Sequence, residues 1–403
     1  MRNTEKIVQK RACCGCGACT VVCKEAAISM VYGERFNYIK VDAKRCADCG
    51  RCLAVCPSSS LVRDSMTGTP LDGMSDENEH WLVHATDGSV RHDAASGGFT
   101  TALILHMLET GSCDGAIVAR TSGVDPLRSD SIVARTRQEV LDARGSRYAP
   151  VSPCAALDRI RRDGGRYVFV GCPCHVEALT RLCRLEPTLA ESIVLTIGFI
   201  CAGTASRSST RSYLRRYGVN VGAVKCIRYR GSGWPGSFTA TGEAGEVVLR
   251  RPLLRYENGR VEGDELRYLV AVDHYLRCYN CLDHWGRNAD VSVSDPWCSE
   301  MLTSETEGRS AIVVRTQRGR NAVAGARRDG VLTAEPIRMA DHLDYQKDLV
   351  ALCEETRRSW IPAYRAIFLG RWRGFPFRRP HGMRTTLRAR LNPHYYERPR
   401  FCS

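Results

Sequence analysis

The first sixty residues contain one cysteine spacing twice, and this repeat constrains the fold more than any other feature of the chain. Both copies have the spacing C-x2-C-x2-C-x3-C, and the second ends in Cys-Pro, as bacterial ferredoxin ligand runs do. In such runs three closely spaced thiolates hold one 4Fe-4S cluster, and the fourth reaches the partner cluster. The spacing therefore predicts two clusters, one held by Cys13, Cys16, Cys19 and Cys56 and the other by Cys46, Cys49, Cys52 and Cys23.

Zinc is the alternative occupant of these loops, because C-x2-C pairs also hold zinc. A zinc site needs four ligands, however, and it seldom repeats a three-plus-one spacing. In the first copy Lys24, and not proline, follows Cys23, and Cys14 occupies a spacer position. Alternating apolar residues between the loops, from Phe36 to Val41, predict a short strand. We expect residues 1 to 62 to form a small two-cluster ferredoxin-like module.

The cysteine content favours metal sites over disulfides. The chain has 403 residues, enough for more than one domain, and 21 cysteines, an odd number. Disulfide frameworks belong mainly to small secreted proteins, whereas a reducing compartment keeps thiols free for iron. No run of uninterrupted apolar residues approaches about eighteen, the length of a membrane span, and residues 1 to 15 lack the apolar region of a signal peptide. We therefore expect a cytoplasmic protein.

The net charge of +14 is concentrated at the C-terminal end of the chain. Residues 356 to 403 hold twelve Arg and one Glu, which leaves a net charge of only +3 for the rest. A nearly neutral body gives little support to nucleic-acid binding, so we expect no nucleic-acid partner. Residues 346 to 403 form an Arg-rich and aromatic basic tail. This tail either packs on the body, stays unfolded, or docks on an acidic partner or an anionic membrane surface.

Helix and strand signals alternate from about residue 80 to residue 345. Helices are predicted over residues 99–110, 176–184 and 207–217. Strands are predicted over residues 115–119, 167–170, 193–200, 224–230, 247–250, 291–294 and 311–315. Such alternation is typical of an α/β domain. Residues 63 to 79, rich in Ser, Gly, Asp and Pro, are expected to form a linker. The predicted fold class combines a small α+β ferredoxin-like module with a larger α/β domain and the basic tail.

Four further cysteines are candidates for a metal site in the larger domain. Cys174 and Cys201 each follow a predicted strand, and Cys278 and Cys281 form an isolated C-x2-C. The carboxyl ends of parallel strands meet at one edge of a sheet, so these thiols can converge on a tetrahedral site. The spacing alone leaves structural thiols and zinc open. Cys172 lies two residues before Cys174 and could take its place.

Two loops are candidates for binding the phosphates or the ring of a nucleotide cofactor. In Ser96-Gly97-Gly98 the serine can cap the helix that begins near Phe99, and the glycines let backbone amides approach an anion. Such a sequence is as often a plain helix cap. The loop from Gly145 to Val151 offers a cation, a hydroxyl and an aromatic ring, or is merely a turn.

The order of six segments resembles that in the family of coenzyme F(420) hydrogenase and dehydrogenase beta subunits, over about residues 5 to 340. These segments are Ala95 to Gly98, Gly145 to Pro153, Gly171 to Cys174, Gly198 to Cys201, Cys278 to Cys281 and Asn288 to Trp297. The resemblance implies an α/β domain that binds FAD, with a flavin site lined by Ser96, Gly97, Gly98, Tyr148 and Pro150. It also implies a third 4Fe-4S cluster beside the flavin, held by Cys174, Cys201, Cys278 and Cys281. Ser294 departs from the family pattern, in which glycine commonly precedes the Asp.

Clusters and a flavin together predict an iron-sulfur flavoprotein oxidoreductase. Iron-sulfur clusters pass single electrons, whereas a flavin takes two and can release them as a hydride. The expected partners are a redox protein, either a ferredoxin or a dehydrogenase or hydrogenase subunit, and a small-molecule acceptor such as the deazaflavin coenzyme F(420). Arginines of the loop from Arg228 to Gly236 suit the phosphate and carboxylates of that coenzyme.

The sequence leaves rival hypotheses open. The chain could be a ferredoxin-dependent reductase of a small organic or sugar-derived substrate without deazaflavin, a relay subunit active only in a larger complex, or a zinc-rich nucleic-acid binder. No catalytic residue is assigned, because the flavin would carry the chemistry. His175, His274 and Asp295 lie near the cluster loops and could supply a proton, but a structural role is more common for such residues. The direction of electron flow and oligomerisation stay open.

Overall fold

The computed structural model describes residues 2–59, 71, 73–257, 260–270, 273–281 and 283–355. The helices are α1 Glu5–Gln9, α2 Ala18–Val22, α3 Arg51–Val55, α4 Gly88–Asp93, α5 Phe99–Glu109, α6 Arg137–Asp142, α7 Leu157–Asp163, α8 Pro173–Cys183, α9 Pro187–Ser192, α10 Arg207–Arg216, α11 Glu265–Val270, α12 Ser299–Ser304, α13 Gln317–Arg328, α14 Met339–Tyr345 and α15 Lys347–Glu355. The strands are β1 Ile28–Tyr32, β2 Asn37–Val41, β3 Glu79–Ala85, β4 Gly115–Thr121, β5 Ser129–Ala134, β6 Tyr167–Gly171, β7 Ile193–Phe199, β8 Cys226–Arg228, β9 Ser237–Thr241, β10 Val247–Pro252, β11 Leu254–Glu257, β12 Arg260–Asp264, β13 Val291–Ser294, β14 Ser310–Val314 and β15 Leu332–Pro336.

The N-terminal module is built on a hairpin and short helices. β1 and β2 pair antiparallel, from Ile28 opposite Val41 to Tyr32 opposite Asn37. Strand β2 confirms the strand predicted between the two cysteine loops. α2 and α3 each follow one cysteine loop, and the two helices pack against each other. The module is therefore a compact frame that holds both loops side by side.

The larger domain is built on an eight-stranded mixed sheet with the order β15-β3-β14-β13-β7-β6-β4-β5. The central strands β13, β7, β6 and β4 run parallel, and the strands at both sides pair antiparallel. β6 is buried along its whole length, as expected for a parallel strand covered on both faces. The predicted alternation of strand and helix is confirmed for this central part, and the antiparallel flanks make the sheet mixed.

Two predicted helices show how local signals set the element ends. α5 ends at Glu109, shortly before Gly111, whose φ of +65° is one that glycine tolerates best. α8 begins at Pro173, earlier than the predicted start at Val176. Proline suits this position, because its fixed φ matches the helix and its missing N–H needs no partner in the first turn. The early start of α8 places Cys174 directly at the sheet edge.

The N-terminal module packs on one helical face of this sheet. α5 and α13 cover the opposite face, with Leu103 and Val323 buried in its core. α7, α8 and α9 cover the near face, and their core is continuous with that of the module. Val55 of α3 and Leu179 of α8 are buried in this shared core, where the two helices pack together. The cysteine loops are therefore fixed against the end of the sheet where β6 and β7 terminate.

Smaller elements surround the main sheet. β10, β9 and β8 form a three-stranded antiparallel sheet, and the ring of Phe238 lies 4.9 Å from that of Tyr213 on α10. α15 lies within the predicted tail, and its Leu349 and Cys353 are buried beside Trp285. The remainder of the predicted tail, residues 356–403, and most of the predicted linker lie outside the described residues. In the part of the chain that the structure describes, no helix is long and apolar enough to cross a membrane.

Candidate electron-transfer site

The two cysteine loops enter their helices in the same way. In each loop a glycine with positive φ stands between the second and third cysteines, Gly17 at +88° and Gly50 at +78°, and it is the N-cap of α2 or α3. The residue after each helix, Cys23 or Cys56, is extended. A side chain at Gly17 would place its Cβ 2.8 Å from the backbone nitrogen of Ala155. The first loop is therefore shaped by glycine and seated directly on the larger domain.

The predicted ligands of the first cluster line one small cavity. Its walls include the thiols of Cys13, Cys16, Cys19 and Cys56. Burial raises the pKa of Cys13 and Cys19 far above the ordinary thiol value and that of Cys56 to about 12, because a buried thiolate is poorly solvated. Bound iron supplies the positive charge that such thiolates need, since a coordinating cysteine is deprotonated. The donor set and its cavity therefore fit an iron-sulfur cluster.

The predicted ligands of the second cluster lie nearer the surface. Cys49 is exposed, Cys23 and Cys46 are partly buried, and Cys52 is buried. The side-chain amide of Asn3 donates a hydrogen bond to Cys46 Sγ at 3.6 Å. Hydrogen bonds to ligand sulfur are among the features that set a cluster's reduction potential. The two copies of the repeat thus form one buried site and one outer site.

The third predicted set meets at the edge of the sheet where two neighbouring parallel strands end. Cys174 lies in the first turn of α8 after β6, and Cys201 follows β7. Cys278 lies in a short 3-10 turn, and Cys281 follows that turn. Burial raises the pKa of Cys278 to about 12 and that of Cys281 to about 11. β6 and β7 therefore end at the same edge of the sheet, as predicted, and the joint binding of a cluster by these four thiols stays a prediction.

His284 ties two of these loops together. Its Nδ1 lies 2.6 Å from the carbonyl oxygen of Cys201, and its Nε2 lies 2.8 Å from that of Cys281. The backbone N–H of Cys201 in turn donates to the carbonyl oxygen of His284 at 2.9 Å. No local pattern singles out His284, because its partners come from loops that are adjacent only in the fold.

Cys172 and Cys174 face different neighbours. The Cys172 thiol interacts with that of Cys201, whereas the Cys174 thiol interacts with that of Cys14 in the first cysteine loop. Cys14, a spacer by sequence, lies between Cys16 and Cys174. Five thiols therefore surround the third site, with Cys174 on the side that faces the first site. The family resemblance selects Cys174 as a ligand, and the contact with Cys201 makes Cys172 the second candidate.

Two residues that the sequence pattern did not select also touch the predicted sites. The backbone N–H of Cys154 donates to the carbonyl oxygen of Cys16 at 3.0 Å. The Nη1 atom of Arg277 donates to Cys281 Sγ at 3.7 Å, and its Nε donates to Ser58 Oγ at 2.8 Å. Ser58 and Arg277 are far apart in the chain, so no local motif could have revealed this contact.

The Ser96 loop is engaged with neighbouring strands. The hydroxyl of Ser96 donates to the carbonyl oxygen of Arg309, and the N–H of Gly97 donates to Ser310 Oγ at 3.0 Å. The N-cap of α5 is Gly98, with φ +76° and no side-chain cap. The prediction that Ser96 caps this helix was therefore wrong, because its hydroxyl is used to join the loop to the segment before β14.

Tyr148 and Pro150 lie where the larger domain meets the module. The ring of Tyr148 is 5.6 Å from that of Tyr229 in an edge-on contact. The carbonyl oxygen of Pro150 accepts a hydrogen bond from the side-chain amide of Asn37 at 3.4 Å, and Asn37 belongs to the hairpin of the module. The hydroxyl of Tyr148 also interacts with the guanidinium of Arg230. The two groups of predicted flavin contacts thus come from separate loops, one beside β14 and one beside the module.

The candidate proton donors are held in internal contacts. His175 is buried, its Nδ1 accepts from the N–H of Cys172 at 3.2 Å, and burial lowers its pKa to about 4. Asp295 accepts from Arg230 at 2.7 and 2.8 Å and from the indole N–H of Trp234 at 2.8 Å. The ring of His274 packs against Gly203, where a Cβ would lie 2.8 Å from Nδ1. These contacts favour structural roles for all three residues.

The arginines of the loop from Arg228 to Gly236 are also used internally. The Arg230 side chain is 2% exposed and forms the ion pair with Asp295. Arg228 donates to the carbonyl oxygen of Asp93 at 2.6 Å, and its guanidinium lies 3.3 Å from the carboxylate of the same residue. Both arginines therefore already have anionic partners, and their suitability for a phosphate or carboxylate of the coenzyme stays a prediction.

Comparisons with known proteins place these features in a family. Of the two models for the coenzyme F(420) hydrogenase/dehydrogenase beta subunit, the N-terminal one matches residues 81–158, and the C-terminal one matches residues 164–340. A 4Fe-4S dicluster domain matches residues 12–60, which contain both cysteine loops. The predicted two-cluster iron-sulfur module is therefore confirmed, while its individual ligands stay predictions. This match favours iron over zinc in the two loops.

Among curated relatives, the coenzyme F(420) hydrogenase subunit beta of Methanosarcina barkeri is 27% identical over 263 residues, 63% of this chain and 80% of the relative. The coenzyme F(420)-dependent sulfite reductase of Methanocaldococcus jannaschii is 24% identical over 339 residues, 79% of this chain but 47% of the relative. The chain thus spans only about half the length of the latter.

A solved structure shows the same fold. A chain of the F(420)-reducing NiFe hydrogenase complex from Methanosarcina barkeri matches with a TM-score of 0.54 and 24% identity, covering 72% of this chain and 93% of that one. This likeness supports the arrangement of a ferredoxin-like module and a mixed α/β domain. Since both halves of the beta-subunit model match in order, the chain belongs to the family of coenzyme F(420) hydrogenase/dehydrogenase beta subunits.

Proposed function

We propose that the chain is an iron-sulfur flavoprotein component of an oxidoreductase, carrying electrons between a protein partner and FAD through three 4Fe-4S clusters. The observation that carries this proposal is the contact between the thiols of Cys14 and Cys174. It makes the first and third predicted sites neighbours inside one continuous core. Electrons that enter the module can then reach the larger domain without leaving the chain.

The second site is the proposed point of exchange with the protein partner. Cys49 is exposed there, and Lys44 and Arg45, which directly precede Cys46, are both exposed. Electron transfer falls off steeply with distance, so an outer site favours exchange with another protein. A small iron-sulfur protein is the kind of partner that suits such an outer site.

FAD is the proposed two-electron group of the larger domain. When bound, FAD accepts electrons singly and exchanges them as a hydride with an organic molecule. Tyr148 and Pro150 would line its site on the side of the module, and the loop of Ser96, Gly97 and Gly98 would line it on the side of β14. Asp295 and Arg230 would support the Tyr148 side as a rigid ion pair.

The proposed organic partner is coenzyme F(420) or a similar acceptor. The support comes from relatives, among them a coenzyme F(420) hydrogenase subunit beta and a subunit of the F(420)H(2) dehydrogenase of Methanosarcina mazei. Because fold does not fix the substrate, a small organic substrate without deazaflavin remains the alternative. A screen of acceptors with purified protein and a reduced iron-sulfur donor separates the two.

A second candidate function is an electron-relay subunit that works only within a larger complex. It is favoured by the names of the relatives, several of which are subunits, and by the solved structure, which is a complex. The screen tests it directly. Turnover of an acceptor by the chain alone would refute this candidate, and turnover only after addition of a partner subunit would support it.

Cofactor analysis of anaerobically purified protein tests the main proposal. Three clusters and one flavin predict about twelve iron atoms and about one FAD per chain, with broad absorption near about 400 nm. Replacing Cys278 with serine should remove about four of these irons. Cys113, buried but not part of any predicted set, is the matched control, and Cys113→Ser should keep all iron. Colourless protein with stoichiometric zinc would refute the proposal.

A further inference from the structure

Arg277 occupies a buried position between the first and third predicted sites. Arg277 directly precedes Cys278 in the short 3-10 turn, and it is 3% exposed. Its Nη1 donates to Cys281 Sγ at 3.7 Å, on the side of the third site. On the other side its Nε donates to Ser58 Oγ at 2.8 Å and its Nη2 to the carbonyl oxygen of Pro57 at 3.4 Å.

The residues on that second side belong to the first site. Pro57 and Ser58 directly follow Cys56, a predicted ligand that lines the first cavity. The guanidinium of Arg277 therefore contacts a sulfur of the third predicted site and also two residues that follow Cys56, a predicted ligand of the first site. The thiol contact between Cys14 and Cys174 lies at the same junction.

Arg277 shares its nearest carboxylate with a second guanidinium. Glu177, 8% exposed, lies 3.7 Å from Arg277 Nη2. The same carboxylate accepts a hydrogen bond from Arg181 at 2.6 Å, so two guanidinium groups share one carboxylate. The nearby carboxylate of Asp283 accepts hydrogen bonds from the backbone N–H groups of Gly286 and Arg287, and it lies 3.9 Å from the guanidinium of Arg287. Burying an uncompensated cation is costly, and an iron-sulfur cluster with four thiolates is an anion that compensates it.

We propose that Arg277 is a positioning residue shared by the first and third clusters, and that its charge raises the reduction potentials of both. This inference rests on the proposed function, because it concerns the clusters assigned there. A fixed cation stabilises the more negative, reduced form of each cluster. Arg277 would thus raise the reduction potentials of the first and third clusters together. The second cluster, which lies nearer the surface, would not share this effect.

The transfer between the paired clusters is a single-electron step. With both clusters bound, one electron would pass from the first, which would be oxidised, to the third, which would be reduced, and no bond would form or break. Two such steps deliver the two electrons that a flavin takes. The reductant is the low-potential iron-sulfur protein of the proposed function, which reduces the second cluster, and that cluster then restores the first.

The test compares Arg277→Gln with Arg181→Gln in the full-length holoprotein. Both changes remove one guanidinium that contacts Glu177. Arg181 donates to the carbonyl oxygen of Cys56 at 3.0 Å and to Ser59 Oγ at 3.2 Å, and both of these partners belong to the first site. It is therefore a matched control for a cation placed at the first site.

The readout is the midpoint potential of each cluster, followed by electron paramagnetic resonance during a redox titration. Signals of the third cluster are identified as those absent in Cys278→Ser. In Arg277→Gln we expect the reduced-to-oxidised ratio at a fixed potential to fall about tenfold for two clusters, a shift of about 59 mV to more negative values for a one-electron couple. In Arg181→Gln only the first cluster should shift.

Several results would overturn the inference. Unchanged potentials in Arg277→Gln, or a shift of one cluster only, would show that Arg277 does not serve both sites. If Arg277→Gln loses iron, Arg277→Lys is measured instead, because lysine keeps the positive charge without the several N–H donors of the guanidinium. If the midpoint potentials of both clusters in Arg277→Lys are close to those of the wild type, the electrostatic role is supported. If both potentials fall although the positive charge is retained, the electrostatic role is refuted. Wild-type protein without iron would instead refute the proposed function itself.

Discussion

The buried ion pair between Arg35 and Asp273 should determine how firmly the N-terminal module is attached to the larger domain. Arg35 lies in the turn between β1 and β2, and its side chain is completely buried, while that of Asp273 is 9% exposed. Arg35 Nη2 donates to both carboxylate oxygens, at 2.5 and 2.7 Å, and Nε donates at 3.2 Å. Replacing Asp273 would remove the carboxylate that accepts these three hydrogen bonds from a completely buried guanidinium.

The expected cost of Asp273→Leu is about 3–5 kcal/mol, the usual penalty for breaking a buried pair from one side. Undocking of the hairpin should therefore become roughly 10² to 10³ times more frequent, since about 1.4 kcal/mol corresponds to a tenfold change. Native-state hydrogen exchange measures this directly as faster exchange of the β1 and β2 amides. Amides of β6, in the centre of the main sheet, provide the internal control and should keep their rates.

The double variant Arg35→Met with Asp273→Leu tests whether the pair itself is responsible. Replacing both charges by apolar side chains should cost less than either single change, because no charge is left without a partner. If hairpin exchange is unchanged in Asp273→Leu, or if the double variant is as damaged as the sum of the single variants, the ion pair does not hold the module and the reasoning is refuted.

Three further predictions concern single sites. Cys14→Ala should keep all iron, because Cys14 contacts predicted ligands without being one, whereas Cys16→Ser should lose about four irons; equal losses in the two variants would make Cys14 a ligand. Gly17→Ala should lose iron from the first site, because φ is +88° and the new Cβ would lie 2.8 Å from Ala155 N, whereas Gly88→Ala, with nothing within 4 Å, should not; iron analysis of both variants decides. Burial lowers the pKa of His342 to about 3, below its ordinary value of about 6.5. Above pH 6.5 both states hold a neutral ring, and as the pH falls further only the unfolded chain gains this proton, so stability should decrease by about 1.4 kcal/mol per pH unit toward pH 3. Thermal melts of wild type and His342→Gln should show a weaker acid dependence in the variant, and identical pH profiles would contradict this assignment.

Local chemistry made much of the fold predictable. The paired cysteine spacings, the glycine that follows α5 and the apolar run of β6 each depend on a few neighbouring residues, and the structure agrees with all three. The common edge at which β6 and β7 end, shortly before Cys174 and Cys201, could also be predicted, because neighbouring parallel strands end at one edge of a sheet.

Contacts between residues that are far apart in the sequence could not be predicted from such local signals. The antiparallel pairing of β13 with β14 and of β14 with β3 depends on how distant segments assemble, and no local pattern encodes it. The hydroxyl of Ser96 was expected to cap a helix but bonds to Arg309, more than two hundred positions away. The hydrogen bonds of Arg277 to Ser58 and Pro57 likewise depend on the fold, because these residues are distant from Arg277 in the sequence.

The difference in exposure between the two copies of the cysteine repeat has a consequence for damage by oxidants. Dissolved oxygen and peroxide arrive first at an exposed thiolate, and Cys49 is exposed while Cys13, Cys16 and Cys19 are buried. Mild oxidation would then destroy the outer site and spare the inner ones. Under the proposed function, such protein would stop accepting electrons from a protein donor, while a small reductant that reaches the proposed flavin directly would still reduce it. Oxidation of the outer site would thus end electron transfer from the donor before the buried sites are damaged.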